Sequence, residues 1–276
     1  MTTWLITGCS SGLGRALAEA VLGRGDSVVA TARDASTLAP LIAAHPDTVL
    51  TLDLDVTDAG RVAEVVSAAE RRFGAVDVLV NNAGYGYRAA VEEGDPGDVA
   101  RLFATNVFGP VELIRAVLPG MRERRRGTIV NVSSIGARMT PPGSGYYAAT
   151  KAALEALSGA LREEVAPLGI TTMIVEPGAF RTDFAGRSLA QSARVIPDYA
   201  ATAGRRRREN DTTHGTQPGD PGRAAAAMIT AVTSPEPPFL LLLGEDALRG
   251  FDDHERRLRG DVHAWRETAL GTSYPE

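Results

Sequence analysis

Two side chains in this sequence have the types and the spacing for proton transfer: Tyr147 and Lys151, in the stretch YAATK. They are four residues apart, so on a helix they share a face, whereas Tyr146 points elsewhere. A free phenol has a pKa near 10, and its anion is scarce at neutral pH. A neighbouring ammonium favours the phenolate. Such a pair can hand a proton to a carbonyl oxygen or take one from an alcohol. Lys151 is also the only lysine in the chain: of 29 Lys plus Arg, the other 28 are Arg. Arginine supplies positive charge everywhere else, so the single exception calls for a chemical reason. Arginine is longer, planar and does not titrate usefully.

A second stretch has the makings of an anion site. Thr7 to Gly14 reads TGCSSGLG. Glycines at 8, 12 and 14 allow a tight turn and close approach of backbone to ligand, and a helix start behind them offers free N–H groups to a pyrophosphate. Gly8, Ser10, Ser11, Gly12, Leu13 and Gly14 are the candidate contacts. The spacing TGxxxGxG differs from the GxGxxG of the commonest dinucleotide loop.

These groups need elements to hold them. Apolar runs at 3–7, 27–31, 49–54, 76–80, 128–132, 170–175 and 239–243 read as strands. Between them lie helical stretches at 15–22, from Thr57 or Asp58 to Phe73, from Asp95–Pro96 to about Leu118, 147–166 and 221–232. Pro119 and Gly120 are read as interrupting the third of these. Strands that are apolar throughout and alternate with helices indicate a parallel sheet covered on both faces. The fold class expected is therefore α/β, a doubly wound, Rossmann-like parallel sheet of about seven strands. Residues 1–276 read as a single domain with a variable segment at 183–220. That segment shows no clean period and is expected to act as a mobile lid over the substrate.

TGxxxGxG, then NNAG at Asn81 to Gly84, then YAATK, in this order and spacing, resemble the classical short-chain dehydrogenase/reductase family over roughly residues 3–182. The resemblance implies strand order 3-2-1-4-5-6-7, with a nicotinamide cofactor across the carboxyl ends of the strands. It implies that Ser134, 13 residues before Tyr147, bonds the substrate oxygen, with Ser133 as the adjacent competitor. It also implies that Asn106 orients a water beside Lys151, and that Lys151 holds the nicotinamide ribose. Asp55 and Val56 would receive the adenine, with Asp53 the less favoured acid. Asn82, Ala83 and Gly84 would approach the adenosine ribose, and Pro177, Gly178 and Thr182 the nicotinamide carboxamide. After the second strand, Ala32 offers no acid, and Arg33 could pair with a 2′-phosphate. That pattern is similar to the NADP-preferring branch, with Asp34 the residue that argues against it. The implied activity is NADP(H)-dependent hydride transfer between the cofactor and a ketone or secondary alcohol, with NAD(H) possible. The implied assembly is a homodimer or homotetramer, and the general look is similar to hydroxysteroid- and retinol-dehydrogenase-like reductases.

Other readings are weaker. A catalytically idle dinucleotide-binding sensor on the same fold would have no chemical need for Asn106, Ser134, Tyr147 and Lys151 together. An epimerase or dehydratase of the extended branch would carry TGxxGxxG. Net charge is −5 and the pI about 5.5, which suggests neither a nucleic-acid nor a membrane surface. No His/Cys cluster has metal-ligand spacing. The lone Cys9 excludes an intrachain disulfide, and a reducing cytoplasm is the simplest setting. The Arg205 to Arg208 run reads as a solvated loop or helix end. Tyr87, Met139, Phe180 and Tyr199 are candidate apolar walls for the substrate.

Overall fold

The computed structural model describes residues 1–186, 188–213 and 215–274. Among these, the main sheet is built of β1 (Thr3–Ile6), β2 (Ser27–Ala32), β3 (Val49–Asp53), β4 (Val78–Asn81), β5 (Gly127–Val132), β6 (Ile170–Pro177) and β7 (Leu240–Leu243). They run parallel in the order 3-2-1-4-5-6-7, as the resemblance implies. The register sets Leu5 beside both Val29 and Leu79.

The longer helices among the described residues are α1 (Gly12–Gly23), α2 (Ala59–Phe73), α3 (Pro96–Arg124), α4 (Gly145–Val165), α5 (Ala203–Thr213), α6 (Pro221–Val232) and α7 (Glu245–Ala264). Alternation along each strand sends side chains to two cores. Trp4, Ile6, Val28, Ala30, Val80 and Val130 meet Leu17 and Val21 of α1 and Met228 of α6. Leu5, Val29, Leu79 and Ile129 meet Val62 and Val65 of α2, Leu113 and Val117 of α3 and Leu161 of α4. Each such fully buried aliphatic side chain contributes roughly 1.5–3 kcal/mol. Both faces of every central strand are therefore committed, and ligand access is left to the carboxyl edge.

Several elements differ from the sequence reading. α1 begins at Gly12 rather than Arg15, so its first amides belong to the glycine loop itself. Asp58, not Thr57, caps α2, accepting from the Arg61 amide at 3.0 Å. α3 does not stop at Leu118 but runs on to Arg124 with Pro119 inside it. Pro119 is solvent-exposed, and on that side of a helix water can serve the carbonyl that proline leaves without a donor. α7 has no counterpart in the sequence reading, although Leu248, Phe251, Leu258 and Val262 recur there at helical spacing; it buries little beyond Ala247 and Gly250.

The aperiodic 183–220 segment holds a short strand, Leu189–Gln191, paired in parallel with Gly86–Arg88, and helix α5. The arginine run therefore sits in a helix, held by tertiary contacts where an apolar stripe is missing. Arg207 donates to the buried Glu93 carboxylate at 2.5 Å. The Ser192 hydroxyl donates to the Glu93 carbonyl at 2.5 Å.

Candidate active site

The carboxyl ends of β1, β2, β4, β5 and β6 open into one chamber of about 1000 Å³. Gly8, Ser10, Ser11, Gly12 and Leu13 line it, as do Ser134, Tyr147 and Lys151. Gly14 lies just behind, buried in the first turn of α1. The loop conformation needs its first glycine: Gly8 has φ 73°, and a Cβ there would stand 2.9 Å from Ala83 Cα. Asn82 stitches the turn after β4 to this loop, its Nδ2 donating to the carbonyls of Thr7 at 2.8 Å and Gly8 at 3.2 Å. The Thr7 hydroxyl accepts from the amides of Asn82 and Ala83, both at 3.0 Å. Asn81 has a different job. It is buried in the sheet and donates to Asn131 Oδ1 at 2.8 Å.

At the other groups of the expected cofactor path, Ala32, Arg33, Asp55, Val56, Ala83, Gly84, Pro177, Gly178 and Thr182 all line the chamber. Asp53 lies outside that lining and accepts from the Ala35 amide at 2.6 Å. Asp34, the residue that weighed against a 2′-phosphate, caps the turn that follows it. Its carboxylate accepts from the Ser36 amide at 2.9 Å, and those Ser36 bonds hold its pKa below the usual aspartate value.

The catalytic candidates converge. Tyr147 is 9% exposed and Lys151 5%. They share a face of α4, with the Lys151 Nζ 5.8 Å from the Tyr147 ring centre. Lys151 Nζ donates to the Val132 carbonyl at 2.9 Å. Ser134 sits two residues beyond, at the end of β5. Its Oγ accepts from the Gly136 amide at 2.9 Å, and its hydroxyl is also within hydrogen-bonding reach of the Tyr147 phenol, where an incoming oxygen would meet both. Ser133 is not an equivalent choice, because its hydroxyl is given to Glu155 Oε1 at 2.5 Å.

Asn106 lies on a π turn, Ala104–Phe108, within α3, a local irregularity that recurs at functional sites. Its side chain is fixed by Tyr85 N to Oδ1 at 3.1 Å, and by Nδ2 to Tyr85 O at 2.9 Å and Thr150 Oγ1 at 3.2 Å. Gly84 separates Asn106 from the lysine. A Cβ there would stand 3.1 Å from Asn106 Oδ1 and 3.5 Å from Lys151 Nζ.

Burial dominates the ionisation of the pair. It pushes the Tyr147 phenol up to about 12, against the pull of the Ser134 hydrogen bond and the Arg88 guanidinium. It pushes Lys151 down to about 8, against the Glu155 carboxylate. Without ligand, the phenol is therefore protonated and the ammonium is easily lost. Arg88, on the short strand after β4, carries no motif and was missed by sequence reasoning. It is largely buried, donates to Ser144 Oγ at 2.7 Å, and burial brings it down to about 10. Phe184 was missed too. Its ring stacks at a tilt on Tyr147 at 5.7 Å.

Of the expected apolar walls, Phe180 lines the chamber. Tyr87 is core instead, its hydroxyl donating to Asp98 at 3.3 Å. Met139 packs against Gly250 of α7. Tyr199 is on the surface and donates to Glu92 at 2.8 Å. Cys9 is buried in the loop, and burial raises its thiol to about 12, so it is inert. Among the described residues no cluster of His, Cys, Asp or Glu is placed to hold a metal.

With this geometry in view, comparison with known proteins decides the family. The family described as short chain dehydrogenase matches residues 2–193. The chain belongs to the short-chain dehydrogenase family of oxidoreductases. It is 38% identical to Oxidoreductase BOA17 of Botryotinia fuckeliana, over 98% of both chains. Its fold superposes on a short-chain dehydrogenase from Streptomyces avermitilis with a TM-score of 0.92, at 44% identity, covering 99% of this chain and 100% of that one. It is also similar, at 26% identity and a TM-score of 0.71, to an alcohol dehydrogenase from Thermococcus sibiricus complexed with 5-hydroxy-NADP. That match covers 88% of this chain and 95% of the other.

Proposed function

We propose that this short-chain dehydrogenase is an NADP(H)-dependent reductase of ketones, or dehydrogenase of the matching secondary alcohols, working through Ser134, Tyr147, Lys151 and Asn106. The observation that carries the proposal is that Ser134, Tyr147 and Lys151 line the same chamber as the glycine loop, with Asn106 buried beside them against Gly84. The chamber residues suit a dinucleotide. The close-packed loop leaves room for a pyrophosphate against the start of α1, Asp55 and Val56 flank the adenine end, and Arg33 faces the place of a 2′-phosphate. The alcohol dehydrogenase from Thermococcus sibiricus, complexed with an NADP derivative, supports that class of cofactor.

When bound, the nicotinamide supplies the hydride. The chain's own residues manage the oxygen and the proton. Ser134 donates its hydroxyl hydrogen to the carbonyl oxygen and steadies the negative charge that develops there. Tyr147 gives the proton, and its neutral state at working pH suits a proton donor. The ammonium of Lys151 then favours the phenolate left behind. Asn106, pinned to Tyr85 and Thr150, keeps the turn beside Lys151 in place for a water that returns the proton. Phe184, its ring tilted against that of Tyr147, shields the phenol from bulk solvent.

The test is NADPH consumption across steroid, retinoid, aliphatic and aromatic ketones. Turnover of at least one class, lost in Tyr147→Phe, is expected. Tight NADPH binding with no turnover of any carbonyl would favour an idle sensor.

A further inference from the structure

Beyond the four residues above, a second buried cluster of ionisable side chains lies behind the lysine. Glu155 stands one turn past Lys151 on the same face of α4. Its Oε1 accepts from Ser133 Oγ at 2.5 Å. Ser133 lies between Val132, whose carbonyl holds Lys151 Nζ, and Ser134. Behind Glu155, Arg138 clasps Glu176, with Nε at 2.9 and 3.0 Å from the two carboxylate oxygens and Nη2 at 2.6 Å. The same guanidinium reaches Glu155 only at 3.4 Å. The side chain of Glu176 is wholly buried, and that of Glu155 is 14% exposed. One guanidinium cannot neutralise two carboxylates, and the geometry assigns it to Glu176. Lys151, one turn earlier on the same helix face, is a second cation on which the Glu155 carboxylate acts.

We infer that Glu155 is a positioning residue for the proton-transfer site, tying the Ser133–Ser134 strand end to α4 and keeping the Lys151 ammonium charged inside the protein. The inference rests on the proposed role of Lys151. Electrostatics supports it. Burial lowers Lys151 to about 8, and the Glu155 carboxylate is the charge that opposes this. Burial raises Glu155 to about 7, eased by the Ser133 bond and reinforced by Glu176.

The sign follows from these two values. As pH rises through about 7, Glu155 ionises. Its negative charge then strengthens proton binding at Lys151, just below the pH at which burial would strip it. The other groups around the pair are Tyr147 on α4, the neutral Asn106 on α3, and the Val132 carbonyl and Ser133 of the β5 end. Behind Glu155 stand Glu176 at the end of β6 and Arg138, which packs on the Phe251 ring at 5.0 Å and feels Glu255 of α7.

The single lysine makes the test direct. Protein grown with isotope-labelled lysine gives one ε-carbon signal whose NMR shift reports the protonation of Lys151, with no need for assignment. In Glu155→Gln, whose amide oxygen can still accept from Ser133, that titration should move down by about one pH unit, with little change in Tm. Glu155→Ala should show the same shift and also a weaker Ser134 contact, read as a raised KM for the ketone. Ser133→Ala keeps the charge but removes the bond that favours ionised Glu155, so a smaller downward shift is expected. It serves as the second probe if a Glu155 variant does not fold. A lysine titration unchanged from wild type in these variants would overturn the inference. The two readings fail separately. A shifted lysine in an enzyme that reduces no ketone would sink the proposed function alone, and ketone turnover with an unmoved lysine would sink this inference alone.

Discussion

Replacing Lys151 by Met should stabilise the free protein at neutral pH while abolishing turnover. The lysine is buried, and its pKa falls from 10.5 to about 8. At 1.36 kcal/mol per unit, that gap means the folded state holds the charge at a cost of about 3 kcal/mol. Methionine fills a similar volume without charge. It leaves the Val132 carbonyl without the donor it now has at 2.9 Å, a loss of about 1–3 kcal/mol. The net gain expected at pH 7 is therefore about 1 kcal/mol, a rise of a few degrees in Tm for a chain this long. The pH dependence is the sharper signature. Between about 8 and 10.5 the unfolded lysine binds more protons than the folded one, so wild-type stability rises with pH relative to the variant. Above 10.5 the penalty is gone and the variant should be the less stable of the two, by the lost hydrogen bond. Urea unfolding of both proteins at pH 7, 9 and 11 measures this. A stability difference that stays constant over that range would refute the reasoning, because the buried charge would then cost nothing.

Further outcomes follow from the same site. Lys151→Arg should fold but lose at least roughly 10²-fold in kcat, while Arg162→Lys, the reverse exchange at an exposed position of α4, should change little. Steady-state kinetics on both variants decides whether charge alone suffices at position 151. Arg33→Ala should weaken NADPH by roughly 1.5–3 kcal/mol and leave NADH nearly untouched. Fluorescence titration with each cofactor checks this, and a wild-type preference for NADH would show that the loop after β2 reads differently. Ser134→Ala should cost roughly 10²-fold or more in kcat, whereas Ser133→Ala should act mainly on the pH profile through Glu155. Comparing the two at several pH values separates the roles. Hydrogen exchange in residues 183–220 should slow when cofactor and ketone bind together, and equal protection with and without them would end the lid expectation.

The local signals in the chain carried far. TGxxxGxG, NNAG and YAATK each stand at a strand end or a helix start, where their chemistry depends on backbone shape and short spacing. For that reason Gly8, Lys151 and Tyr147 could be placed from sequence alone. A parallel sheet covered on both faces could be expected from apolar strands alternating with amphipathic helices, and its strand order from the resemblance to short-chain dehydrogenases.

What spacing left open was what holds each of two neighbouring candidates. Ser134 rather than Ser133, and Asp55 rather than Asp53, were distinguished by partners distant in sequence: Glu155 takes one hydroxyl and the Ala35 amide takes one carboxylate. Tyr87, Met139 and Tyr199 looked like pocket walls because aromatic and sulfur side chains suit a pocket, a core or a surface equally. Arg88, Phe184 and the Glu155–Arg138–Glu176 cluster belong to no local pattern. Their meaning arises when strands and helices from separate parts of the chain close around them and exclude water. Burial is the quantity that moved Tyr147 up and Lys151 down. The sequence determined which groups could exchange a proton, and the tertiary structure alone decided how tightly each one holds it.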